Sequence, residues 1–288
     1  MSVLQVVILA LVQGLAELLP VSSSAHVVVT EKLLGLDPSS PPMTLLLVML
    51  HTGTMVAVIA YFWSQWRRTY FESTPAFKRF ALQVVIATVC TAVIGGGIIK
   101  IIERTALRDV PHAQIEDLFS HLEFIAPALA AAGVLIIIAG VFGNRSATRE
   151  LTAANDVNVQ RAGWIGAVQG LCLPFRGFSR SGATISAGLI AGVARKRAEE
   201  FSFALAVVLT PAVIVREALR VHKAQAAMTT EHAAQFMHLD TPGIVGMLMS
   251  FAAGLLALRW LSRWLEGDRW HLFGGYGLVA SLFVLWVG

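Results

Sequence analysis

Gln13-Gly14-Leu15-Ala16-Glu17-Leu18-Leu19-Pro20-Val21-Ser22-Ser23-Ser24-Ala25-His26 sets a carboxylate, a proline, three hydroxyls and an imidazole inside an otherwise apolar stretch. The apolar run Leu4–Leu19 that leads into it is too short to cross a hydrocarbon core, which needs roughly 20 residues. It meets polar groups at Pro20 and resumes at Val27–Leu36. Irregular backbone at membrane depth survives only where protein buries it or where it lines a wet cavity. The stretch therefore reads as a re-entrant helix–turn–helix hairpin.

A second stretch has the same plan. Ala162–Leu173 runs into Pro174, then Arg176, Ser179, Arg180 and Ser181, and resumes at Ile185–Val193. Val12-Gln13-Gly14-Leu15 recurs as Val168-Gln169-Gly170-Leu171, and a Leu-Pro pair and a serine-bearing turn follow in both. This predicts an internal repeat, about 1–145 and about 158–288, within a single membrane domain 1–288.

Composition agrees with a membrane protein. Hydrophobic residues make up 56% of the 288 and charged residues 14%, against about 25% charge in a soluble domain; mean hydropathy is +0.69. Met43–Trp63, Phe80–Ile99, Phe124–Phe142, Thr241–Leu261 and Leu272–Val287 each approach the length of a span, and Phe201–Val215 reaches it if extended to about Val221. The expected fold is an all-α polytopic membrane protein of about six transmembrane helices plus two re-entrant hairpins in an inverted-topology repeat. Three spans per half turn the second half upside down, so that interrupted helices meet near the midplane.

The net charge of +4 does not point to nucleic acid, because Lys and Arg flank apolar runs rather than form a basic stripe. Arg67, Arg68, Lys78, Arg79, Arg145, Arg149, Arg161, Arg195, Lys196, Arg197, Arg259, Arg263 and Arg269 fall in one set of loops. Lys32, Lys100, Arg104, Arg108, Arg216, Arg220 and Lys223 fall in the other. The richer set is expected to be cytoplasmic, which opens the first hairpin to the outside. The N-terminal run lacks a basic leader and a cleavage site, so it does not read as a removable signal peptide. Cys90 and Cys172 have no ligand spacing and read as small core residues.

Glu17 is the most informative residue, since a carboxylate inside an apolar helix costs at least ~2.5 kcal/mol and is functional by default. Gln13 stands four residues earlier on the same face, and the two oxygens could hold a hard cation, Mg or Ca. Glu17 could equally act as a base or pair with Arg180. Ser22, Ser23 and Ser24 exceed what one helix cap needs. Free amides at a helix start with hydroxyls beside them form an anion site, and one hydroxyl could attack phosphorus. His26 follows as a candidate proton carrier. His51, mid-span near Thr52 and Thr54, is a weaker candidate for a functional role. In Gly177-Phe178-Ser179-Arg180-Ser181-Gly182-Ala183-Thr184 the glycines allow close approach of a ligand, and Arg180 offers a planar fork for phosphate oxygens. Arg176 stands nearby as a second cation.

With these residues in view, the chain resembles the bacterial undecaprenyl-diphosphate phosphatase family of the bacitracin-resistance type. Gln13–His26 matches the family's first motif and Gly177–Thr184 its second, and the likeness extends over nearly the whole chain, including Glu200-Phe201-Ser202-Phe203. The resemblance implies removal of the terminal phosphate of a polyprenyl diphosphate, with a divalent cation, at a site facing the periplasm of the bacterial inner membrane. It implies Ser23 as nucleophile, Glu17 as base or metal ligand, His26 as acid/base and Arg180 as phosphate clamp. Ser22, Ser24, Ser179, Ser181 and Thr184 would line the phosphate site. The expected partners are the lipid substrate and the bilayer, with a homodimer left open and nucleic acid not expected. The chain departs from the family in having Gln13 where glutamate is frequent. It departs again in placing Phe175-Arg176 between Pro174 and Gly177. A transporter of lipid phosphates, built on the same broken helices, is the rival reading, and a phosphoryl or acyl transferase a weaker third.

Overall fold

The computed structural model describes residues 1–37, 40–105, 122–142, 155–226 and 240–287. Within them lie ten helices and no strand. In chain order they are α1 (Val3–Leu18), α2 (Ser23–Leu33), α3 (Pro41–Thr69), α4 (Thr74–Thr105), α5 (Leu122–Phe142), α6 (Val159–Gly170), α7 (Arg180–Ile190), α8 (Arg195–Ala226), α9 (Asp240–Glu266) and α10 (Trp270–Val287). Arg108, Arg145 and Arg149, used above for orientation, lie outside the described residues.

Five helices, α3, α4, α5, α9 and α10, are long and apolar enough to cross a bilayer. The chain is therefore a multi-pass, all-α membrane protein. The sixth expected span falls on α8, which runs 32 residues and continues through Pro211. The outward apolar faces fit a lipid surround: Leu82, Val85, Val89 and Val93 on α4, and Val279, Leu282 and Trp286 on α10, are all exposed.

The two hairpins stop short for identifiable reasons. A 16-residue helix such as α1 reaches about 24 Å, less than the ~30 Å hydrocarbon core. Ser2 starts it through a capping box with Gln5. Leu19 ends it, held extended (φ −76°, ψ 151°) by the clash that any residue before a proline must avoid. Asn158 caps α6, accepting from the Arg161 amide at 2.9 Å. Both return helices, α2 and α7, have 11 residues and end at left-handed glycines, Gly35 (φ 67°) and Gly192 (φ 78°).

Close backbone approach locks the hairpins to the spans. α1 packs on α9 and α6 packs on α4. A Cβ on Gly14 would meet Ser250 O of α9 at 2.7 Å, and one on Gly166 would collide with Ala87 O of α4. Thr91 Oγ1 donates to Gly166 O at 2.8 Å and accepts from Gln169 Nε2 at 3.1 Å. α5 packs on α10 and α7, and α3 on α8 and α9. A continuous buried core runs through Leu18, Phe62, Ile136, Ile165, Phe201, Phe203 and Leu261. The two broken turns meet beside it: Ser181 Oγ of α7 donates to Leu19 O of the first turn at 3.2 Å.

Candidate active site

The first turn works because Ser22 adopts a left-handed conformation (φ 65°, ψ 94°). Such a conformation in a non-glycine residue costs of order 1–3 kcal/mol and persists only when its surroundings hold it. Here His26 Nδ1 donates to Ser22 O at 2.8 Å, and Ser22 Oγ lies 3.2 Å from Ser24 Oγ. The kink brings Ser23 back over the last turn of α1, where its Oγ donates to Glu17 Oε2 at 2.5 Å.

Glu17 is the hub. Oε2 also accepts from Gln13 Nε2 at 3.1 Å and lies 3.6 Å from His51 Nε2. Oε1 accepts from Arg180 Nη2 at 3.2 Å. Arg180 reaches it from the first residue of α7, so the carboxylate joins both hairpins. The other guanidinium nitrogen, Nη1, is buried and has no hydrogen-bond partner among the described residues. A buried, charged donor without a partner is costly, and an oxyanion placed in the cavity beside it would satisfy it.

The second turn supplies backbone. Gly177 (φ 103°) has no room for a side chain, since a Cβ would collide with Ile125 O. Its amide donates to Ser24 Oγ at 3.3 Å, tying the two turns together. Ser179 caps α7, its Oγ accepting from Gly182 N at 3.2 Å. The two return helices thus start at one cavity of about 340 Å3, lined by Glu17, Ser22, Ser23, Ser24, His51, Arg176, Ser179, Arg180 and Ser181 among others. Two helix N-termini and two arginines around it make a strong anion site.

Most of the residues singled out from sequence come together here, with two exceptions. His26 turns away from Ser23. Its Nδ1 proton is engaged by a carbonyl, so Nε2 accepts from Tyr276 Oη at 2.7 Å, and the two rings stack 5.7 Å apart. Thr184 is fully buried and bonds Ser202 Oγ at 2.5 Å and Arg180 O at 2.8 Å, fixing α7 against α8 rather than facing the cavity. In the place expected of His26 stands His51, delivered by α3. Its Nδ1 donates to Leu47 O at 2.7 Å, leaving Nε2 as the atom that can exchange a proton with Glu17. No local spacing foretells this contact; the one available signal is an imidazole in the middle of an apolar span. His51→Ala is expected to lower turnover about 10²-fold, within the range for a positioned proton carrier, with its mid-point of thermal unfolding little changed.

A cation's fit is testable on the donor set. Among the described residues no three His, Cys, Asp or Glu side chains cluster as metal ligands. The Glu17 carboxylate, the Ser23 hydroxyl and the Gln13 amide are oxygen donors suited to a hard ion that draws its remaining ligands from phosphate and water. In the orientation seen, the Gln13 amide nitrogen faces Glu17, so ligation by Gln13 requires the amide turned over.

The family model for the bacitracin resistance protein BacA matches residues 6–283. The chain belongs to this family. Among BacA-type relatives, the undecaprenyl-diphosphatase 2 of Acinetobacter baylyi is 55% identical over 285 residues, 99% of this chain and 98% of that protein. An undecaprenyl-diphosphatase of Desulfosudis oleivorans is 31% identical, covering 100% and 99%. Another from Desulfatibacillum aliphaticivorans is 33% identical, covering 96% and 98%. Full-length matches of this kind put both hairpins and all the long helices of the chain inside the BacA family.

Proposed function

We propose that the chain hydrolyses undecaprenyl diphosphate to the monophosphate and inorganic phosphate, returning the lipid carrier to cell-wall synthesis. The full-length likeness to proteins named undecaprenyl-diphosphatase supports this reading. The observation that carries it is Ser23 Oγ donating to Glu17 Oε2 at 2.5 Å, in the cavity that also holds the unsatisfied Arg180 Nη1. A hydroxyl paired with a base beside an anion site serves bond making; transport would need only the anion site.

In the proposed reaction the polyprenyl tail stays among the helices and lipid while the diphosphate enters the cavity. Arg180 exchanges Glu17 for phosphate oxygens, and the amides at the starts of α2 and α7, with Ser22, Ser24, Ser179 and Ser181 around them, bind the rest. Ser23 Oγ attacks the terminal phosphorus and gives its proton to Glu17. The anhydride P–O bond breaks, and the polyprenyl monophosphate leaves. Water then cleaves the phosphoserine, releasing inorganic phosphate and restoring the Ser23 proton. His51 holds Glu17 and relays its proton, and His26 fixes the strained Ser22 turn; an acid/base role for His26 requires its ring to rotate toward Ser23. A divalent cation, Mg or Ca, held by Glu17 with help from Gln13, would supply charge neutralisation on the phosphoryl group.

The two halves, about 1–145 and about 158–288, are proposed as inverted repeats in one membrane domain of the bacterial inner membrane, with the cavity open to the periplasmic side. The reciprocal packing of α1 on α9 and α6 on α4, and the matched left-handed ends of α2 and α7, support this.

The test is phosphate release from undecaprenyl diphosphate by purified full-length protein in detergent, with and without EDTA, beside Arg180→Ala. Release that needs the cation and falls about 10³-fold in the variant, the scale of losing one charge-stabilising donor, is the expected result. No release from folded protein across several cations would overturn the reading.

A further inference from the structure

At the opposite end of the sequence a second cavity, of about 600 Å3, lies where α9 gives way to α10. Arg259, Arg263 and Arg269 line it together with Trp260 and Trp264; among the described residues no carboxylate lines it, although Glu266 stands in the same turn. The spacing explains the arrangement: Arg259/Arg263 and Trp260/Trp264 are each four apart and so stack on one helical face. The chain then folds back on itself. Asp268 takes a left-handed conformation (φ 60°), Gly267 N donates to Arg263 O at 3.0 Å and Arg269 N to Trp264 O at 2.9 Å. That turn returns Arg269 to the same face. Asp268, within the turn, pairs with Arg195 at the start of α8.

Three exposed guanidinium groups with two indoles form the pattern of a headgroup site at a membrane boundary. Tryptophan prefers that depth, and arginine binds phosphate oxygens in a planar fork. A path for a tail leads from the cavity toward the bilayer. Leu248 (59% exposed), Ala252, Leu256 (61%) and Trp260 (44%) follow one another at four-residue steps down the outward face of α9. A free anion would use the arginines and leave this apolar stripe uncovered. A phospholipid would use both.

We propose that Arg259, Arg263 and Arg269, with Trp260 and Trp264, bind the phosphate headgroup of an anionic membrane phospholipid whose acyl chain lies along Leu256 and Leu248. The site is separate from the Glu17 cavity, shares none of its lining residues, and does not depend on the proposed chemistry there.

Native mass spectrometry of the full-length protein with added phosphatidylglycerol, phosphatidylcholine or inorganic phosphate tests the proposal. The expected result is selective retention of phosphatidylglycerol, weakened at least about tenfold in Arg259→Gln/Arg263→Gln/Arg269→Gln, because three cations that attract an anionic headgroup are removed. Equal retention of the two lipids, unchanged retention in the variant, or displacement of the lipid by millimolar phosphate would each overturn it. Because the triple variant could fold poorly, tryptophan quenching in the unaltered protein provides a second measurement. Brominated phosphatidylglycerol should quench more than brominated phosphatidylcholine, and equal quenching would overturn the site. Diphosphate hydrolysis, measured in parallel, stays near the unaltered rate in the variant and reports on the other cavity alone.

Discussion

Glu17→Gln is expected to lower kcat by about 10³-fold or more while leaving the affinity for substrate within about tenfold. The substitution keeps the shape of the side chain and removes its charge. In the proposed reaction Ser23 then loses the base that takes its proton, a loss placed at about 10²–10⁴ for general base catalysis, and a cation bound there would lose a carboxylate ligand. Both effects act on the transition state more than on binding, so they appear in kcat. The structure adds a stability consequence. Arg180 reaches Glu17 at 3.2 Å with 26% of its side chain exposed, and removing one partner of a buried pair can cost ~3–5 kcal/mol; this pair is only partly buried, so a smaller loss is expected. Glu17→Gln should therefore melt earlier without substrate, and inorganic phosphate should restore part of the difference by giving Arg180 an anion. A variant that melts earlier yet turns over normally would show Glu17 to be structural.

How far the sequence could be read depends on the distance over which each contact is made. The hairpins were legible because a carboxylate, a proline and consecutive serines in apolar surroundings have few physical explanations. The same holds for Arg180, since an intramembrane guanidinium must find an anion, and Glu17 was its natural partner. Contacts made across the bundle were not legible. His51 approaches Glu17 from α3, 34 positions along the chain, and nothing in the pattern around Thr52 and Thr54 points back to α1. His26 misleads for the converse reason. Its closeness in sequence to Ser23 suggests a shared task, yet its ring is committed to the Ser22 carbonyl and to Tyr276, 250 residues away. Thr184 sits in the second motif but on the face of α7 that meets Ser202. A motif marks residues under one constraint, and that constraint can be packing as readily as chemistry.

Ser22 carries a lesson on strain. Three serines in a row read naturally as a cap with two spares. The structure spends the first on a left-handed turn, and it is this turn that presents Ser23 to the carboxylate. Backbone dihedrals of that kind have no side-chain signature in serine, so the direction in which Ser23 Oγ points could not be foreseen.

That direction underlies the second large effect. Ser23→Ala is expected to reduce phosphate release about 10³-fold or more, because the attacking oxygen itself is lost, and among the described residues no other hydroxyl is seen bonded to Glu17. Ser22 and Ser24 bond each other, and Ser24 accepts from Gly177, so neither is placed to substitute. The measurement should pair steady-state release with rapid acid quenching of the unaltered enzyme on substrate labelled in its terminal phosphate. Label recovered on a peptide containing Ser23, and absent from the alanine variant, would establish the covalent step. Near-normal turnover by Ser23→Ala would instead assign the attack to a water activated by Glu17, with Ser23 as a phosphate ligand. The two mechanisms also differ in stereochemistry: an in-line displacement at Ser23 followed by hydrolysis retains configuration at phosphorus, whereas direct attack by water inverts it. A chiral terminal phosphorothioate therefore separates them even in a variant of reduced rate.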